Sequence, residues 1–129
     1  MTDQLTTIGP VRVELPPASA MSRVARLTAT GVAAMAGFTI DEIDDINVIV
    51  SEVMVALVEH GAHETITVTF DVADGRFTVR GATQLAEFDL DHPDLALCRS
   101  VLAAVSTSHG IERDGTRAEI WATLQQSNA

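Results

Sequence analysis

The chain has 129 residues, 47% of them hydrophobic, which sets the expectation of a single globular domain with a core over about residues 10–125 and short flexible tails. The net charge is −10 and all eight Lys/Arg positions are arginine, so direct nucleic-acid binding is not expected and lysine-dependent phosphate-loop or Schiff-base chemistry is excluded. The lone Cys98 excludes an internal disulfide, no apolar run reaches the roughly 18 residues of a membrane span, and MTDQLTTIGP has no leader pattern, so the expected location is the cytoplasm.

In chain order, residues 11–15 alternate in polarity and predict a short strand, broken by Pro16 and Pro17. Ser19 is the expected cap of a helix running to about Ala36. Its apolar stripe is Met21, Val24, Leu27 or Thr28, Val32 and Met35, and Gly37 ends it. The second helix has the clearest start. Thr39 and Glu42 are spaced as a capping box, and Asp41, Asp44 and Asp45 add negative charge near the positive end. Ile43, Ile46, Val50, Val53 and Leu57 form its core stripe, and His60-Gly61 reads as its C-terminus.

A hairpin follows. Ile66, Val68, Phe70 and Val72 alternate with polar residues, residues 73–75 make the turn, and residues 76–80 return with Phe77 and Val79 inward. Residues 81–92 read as a loop. Pro93 suits the first position of a third helix with Leu95, Cys98, Val101 or Leu102, and Val105 on its apolar face. Residues 110–113, a turn at Asp114-Gly115, and a last strand over residues 117–124 close the chain. The order β-α-α-β-β-α-β-β predicts an α+β two-layer sandwich, a mostly antiparallel sheet with helices on one face.

Glu52, Ala56 and His60 are spaced by four and drift only about 40° per step, so they share one helix face, apart from the core stripe. Spacing leaves Glu52 open between an ordinary surface glutamate and a half-buried general base. His60-x-x-His63, flanked by Glu59 and Glu64, resembles a zinc pair, but Gly61 ends the helix between the histidines and no third soft ligand lies nearby, so no metal site is expected. Cys98 reads as a buried small hydrophobe. Trp121 either packs on a helix or forms an exposed contact patch. The acidic groups Asp41-Glu42-Asp44-Asp45 and Glu87-Asp89-Asp91-Asp94 are either solvated surface or a surface that steers a basic protein partner.

The layout and residues 50–61 resemble the GHKL ATPase/kinase superfamily, and within it the bacterial anti-sigma-factor serine kinases. That branch has an aliphatic-x-x-Glu-x-x-x-Asn-aliphatic-x-x-His-small pattern on its second helix, which Val50-Ser51-Glu52 through His60-Gly61 follows. The resemblance implies a histidine-kinase-like ATPase fold over about residues 11–125, with Glu52 at the catalytic-base position. It also implies that Ala56 stands where a magnesium-binding asparagine belongs, and Gly81-Ala82-Thr83 where Asp-x-Gly holds the adenine. Asp94 and Ala96 stand where the lid has glycines, and Gly115-Thr116 matches a terminal Gly-Thr.

These departures remove a metal ligand, an adenine carboxylate and the lid glycines, and they place Asp94 near a phosphate. No ATP or Mg²⁺ cofactor is therefore expected. The degenerate pocket would comprise Ala56, His60, Gly81, Thr83, Asp94, Ala96, Gly115 and Thr116, with Glu52 idle. The expected function is regulation by protein–protein binding in a partner-switching system, to a sigma factor or an anti-sigma-factor antagonist. The resemblance implies a homodimer through the first helix and strand. Arg23 and Arg26, one turn apart, are either partner contacts or solvent-facing residues. Two alternatives stand beside this: an active serine kinase with an altered ATP site, for which Asn47 is the wrong side of the helix, and a scaffold repurposed for another small ligand.

Overall fold

The computed structural model describes residues 6–84 and 90–127. Its elements follow the expected order: β1 (Ile8–Leu15), α1 (Met21–Met35), α2 (Ile40–His60), β2 (Ile66–Ala73), β3 (Arg76–Gln84), α3 (Pro93–Val105), β4 (Ser108–Asp114) and β5 (Arg117–Gln125). The strands form one antiparallel sheet of five, ordered β1-β2-β3-β5-β4. Period-two alternation gives it one apolar face. Ile66, Val68, Phe70 and Val72 of β2, Phe77 and Val79 of β3, and Ala118, Ile120 and Ala122 of β5 are buried beneath the helices. The result is the expected two-layer α+β sandwich, an antiparallel sheet with helices on one face. Among the described residues no helix is long and apolar enough to cross a membrane.

α2 is the element around which the helical layer is organised. Its capping box is complete: the Glu42 amide donates to Thr39 Oγ1 at 3.1 Å and the Thr39 amide to Glu42 Oε1 at 2.7 Å. Such a cap contributes about 0.5–2 kcal/mol. The other Glu42 oxygen accepts from the amide and hydroxyl of Ser127, tying the helix start to the chain end. The predicted stripe is buried at Ile46, Val50, Val53 and Leu57, and half-buried at Ile43. Ile49, Met54 and Ala56 widen the buried arc.

Four expectations change. Ser19 does not cap α1. The N-cap is Ala20, without a side-chain bond, because the amides of Met21, Ser22 and Arg23 are already satisfied by the carbonyls of Ala18, Ser19 and Ala20. The buried face of α1 is Ser22, Ala25, Ala29, Val32 and Ala33, so only Val32 of the predicted stripe is buried. Small residues let α1 approach its neighbours closely, and Val24, Leu27 and Met35 are left exposed at 39%, 67% and 72%. Finally, residues 81–84 are not loop but strand, and β1 begins at Ile8. Flanked by β2 and β5, β3 keeps pairing to Gln84↔Arg117, and β1 continues past Val11 through a bulge to Ile8↔Val72.

The extension of β3 places Gly81 directly under α2. A Cβ there would lie 2.6 Å from Val53 Cγ1 and 2.7 Å from Leu57 Cδ1. The α2 side chains rest on the strand so closely that a side chain at position 81 must shift those of Val53 and Leu57.

Candidate functional site

Glu52, Ala56 and His60 do share a face of α2, and that face turns toward α3. With Val55 and Glu59 they form one wall of a groove, and Asp94, Leu97 and Cys98 of α3 form the other. The groove encloses about 200 Å³. Glu52 is half-buried in it, and burial pushes its carboxyl above the ordinary value. Ala56 is 4% exposed, so the middle of the wall is a methyl group. Cys98 is buried as expected, its thiol 3.9 Å from the Glu52 carbonyl oxygen. Burial, helped by the Glu52 charge and opposed by Arg99, raises the thiol to about 11, so it is not a nucleophile near neutral pH.

The far end of the groove was not foreseen. Pro93 at the first helical position makes His92 the N-cap of α3, and His92 Nδ1 accepts from the Asp94 amide at 3.1 Å. The Asp94 carboxylate then reaches back across the groove. Its Oδ2 lies 3.3 Å from His60 Nε2 and 3.7 Å from His92 Nδ1. The expectation that no third soft ligand lies near the histidine pair does not allow for residues distant in the chain: docking of the α3 start against the α2 end brings an imidazole and a carboxylate to His60. His63 follows Gly61, is exposed and has φ 57°, so the Glu59–Glu64 stretch does not put both histidines on one face. His92 carried a usable signal, since the residue before a helix-initiating proline is the cap position.

The remaining candidates lie away from this lining. Thr83 is 3% exposed on β3, and its hydroxyl donates to the Thr65 carbonyl at 3.1 Å. Ala96 is on the exposed side of α3. Gly115 (φ +61°) and Thr116 are exposed in the β4–β5 turn, and the Thr116 hydroxyl donates to Gln84 Oε1 at 3.0 Å. Arg26 donates to Ser51 Oγ at 3.3 Å, bracing α1 on α2, while Arg23 is exposed one turn earlier. Trp121 is half-buried on the sheet face opposite the helices, with the Arg80 guanidinium 5.7 Å from its ring centroid. Of the second acidic group, Glu87 and Asp89 lie outside the described residues, and Asp91 and Asp94 are exposed.

Residues 15–94 match the histidine kinase-like ATPase domain family. The chain is 31% identical over 90 residues to the serine-protein kinase RsbW of Bacillus velezensis, covering 67% of this chain and 56% of that protein. It is 32% identical over 85 residues to the serine-protein kinase RsbW of Bacillus subtilis, covering 63% and 53%. It therefore spans about half the length of the curated relatives it matches. Among solved structures, the RsbU and RsbW domains of a Mycobacterium tuberculosis protein superpose with a TM-score of 0.77 at 20% identity, over 95% of this chain and 34% of that one. The SiaB–SiaC complex from Pseudomonas aeruginosa gives 0.57 at 13% identity, over 88% of both chains. At these identities the likeness is one of fold.

Proposed function

The chain belongs to the histidine kinase-like ATPase domain family, in its anti-sigma-factor serine-kinase branch, and on that premise we propose that it is a partner-switching regulator that acts by binding protein rather than by phosphorylating it. Its partner is a sigma factor or an anti-sigma-factor antagonist. The observation that carries the reading is the groove wall. Where the family's nucleotide chemistry needs an oxygen ligand for Mg²⁺, residue 56 offers a buried methyl between Glu52 and His60. Two further features support it. Val53 and Leu57 crowd Gly81, the adenine-carboxylate position, and the Asp94 carboxylate stands in the groove, where a polyphosphate would meet repulsion. These residues do not fit Mg-ATP, and no catalytic step is assigned through it.

A protein partner fits the uncovered surface. Val24, Leu27 and Met35 on α1 are exposed apolar groups beside Arg23, which supports pairing through α1, with a second copy or with the target. The structural neighbour from Pseudomonas aeruginosa was itself solved within a protein complex, SiaB–SiaC.

One observation favours the kinase alternative: Glu52 keeps the position and the raised pKa of a general base. It lacks a metal ligand, and Asn47 does not supply one, because its Oδ1 accepts from Thr30 of α1 at 3.2 Å. Calorimetric titration with Mg-ATP separates the readings. No binding is expected, and micromolar binding would refute the partner-only reading. Phosphate transfer to a co-expressed antagonist, abolished in Glu52→Gln, would establish the kinase. A small-molecule adduct in native mass spectrometry would establish the repurposed pocket.

A further inference from the structure

We propose that His60, His92 and Asp94 form a site for a divalent transition metal, with Zn²⁺ the ion that fits best, clipping the end of α2 to the start of α3. The proposal goes beyond the partner-binding reading and does not depend on it.

Two of the three ligand–ligand edges are close to those of a tetrahedral site. One ligand atom from each residue lies within 4.8 Å of the other two. Zinc bonds of about 2.0–2.1 Å in a tetrahedron separate neighbouring ligand atoms by about 3.3–3.4 Å. The His60 Nε2–Asp94 Oδ2 edge is 3.3 Å and the His92 Nδ1–Asp94 Oδ2 edge is 3.7 Å, so two edges already have nearly that length. The third must close by up to about 1.5 Å, given the 4.8 Å bound. The closure falls to His92, whose side chain is 43% exposed and stands ahead of the helix. It exchanges its hydrogen bond from the Asp94 amide for a metal–nitrogen bond. His60 is held in place, with a side chain only 14% exposed at the last residue of α2.

The donor chemistry selects the ion. Two imidazoles and one carboxylate suit Zn²⁺ and its transition-metal neighbours, whereas Mg²⁺ and Ca²⁺ take oxygen ligands. A simple ion pair accounts for His60 with Asp94. The N-cap role of His92 holds a second imidazole beside the same carboxylate oxygen, with its ring centroid 4.6 Å from that of His60, so three ligand groups from two helices meet at one point. Asp94 is 58% exposed, which gives the ion a path in and leaves the fourth position to water. The groove beside it carries Glu52 and Glu59, whose negative charge favours a cation.

The test uses the untagged full chain, stripped with chelator and titrated with ZnCl₂ by calorimetry in excess Mg²⁺. Saturable binding of one ion per chain at micromolar or tighter affinity is expected, with a rise in melting temperature and, for Co²⁺, the visible absorption of four-coordinate cobalt. His60→Ala, His92→Ala and Asp94→Asn should each weaken binding at least about tenfold. His63→Ala and His109→Ala should leave it unchanged. His92 and Asp94 are surface positions, so those two variants read the site even where His60→Ala perturbs folding. No saturable Zn²⁺ binding, or binding that survives His92→Ala and Asp94→Asn, overturns the proposal.

Discussion

Gly81→Ala tests the central geometric claim, that α2 rests on β3 with no space at position 81. The new methyl would sit 2.6 Å from Val53 Cγ1 and 2.7 Å from Leu57 Cδ1, against about 3.5–4.0 Å for ordinary carbon contacts. The structure must therefore open by about 1 Å. Val53 is 0% and Leu57 1% exposed, and both lie on a helix anchored by its capping box; the Leu57 Cδ1 end can turn aside, so the resistance comes chiefly from the β-branched Val53, which is stiff at χ1. Overpacking of this kind costs about 1–3 kcal/mol. Replacing glycine restricts the unfolded chain and returns about 0.4–1 kcal/mol. The expected net loss is about 1–2 kcal/mol, or roughly 3–8 °C in melting temperature for a chain of this size. Urea denaturation should show a lower midpoint with unchanged slope. Val53→Ala should relieve the clash, so the double variant should be more stable than the sum of the singles by at least about 0.5 kcal/mol. Gly81→Asp should be far worse, because it presses a carboxylate between the same apolar groups. A Gly81→Ala variant within about 0.5 kcal/mol of the parent, additive with Val53→Ala, would refute the reasoning.

Thr39→Ala should destabilise by about 0.5–2 kcal/mol in chemical denaturation, while Ser19→Ala should stay within about 0.5 kcal/mol, since Thr39 caps a helix and Ser19 does not. Burial raises the folded pKa of Glu52 above its ordinary 4.5, so its favourable contribution to folding is complete below that value and is lost as pH rises through the folded pKa. Glu52→Gln should therefore be more stable than the parent at neutral pH, and the gap should close on acidification in a pH series of melting curves. A gap that widens in acid would contradict the assigned direction. Ala56→Asn alone should not confer Mg-ATP binding by calorimetry, because Gly81 and Asp94 remain, and binding by that single variant would mean those two positions matter little.

Much of the fold was legible because it is written in local chemistry. The Thr39–Glu42 capping box, the period of α2, the alternation of β2 and the Asp114-Gly115 turn each act within a few residues, and each recurs in the structure. Elsewhere the local signals are ambiguous. α1 carries two candidate faces, one of large apolar residues and one of alanines. Hydrophobicity favours the first, but close packing selects the second. The end of β3 has no hydrophobic alternation to announce it. Residues 81–84 are Gly, Ala, Thr and Gln; β2 and β5 hold the first two as strand, and β5 alone holds Thr83 and Gln84.

The candidate site divides in the same way. Sequence by itself determined the face shared by Glu52, Ala56 and His60, because four-residue spacing on a helix is a local constraint. It also placed an alanine where the related kinases carry an asparagine. Only tertiary structure decided what that face meets. The approach of α3 brings His92 and Asp94 to His60, and the descent of α2 onto β3 closes the space over Gly81. Contacts between residues distant in the chain depend on how whole elements pack, and no short window of sequence encodes that packing.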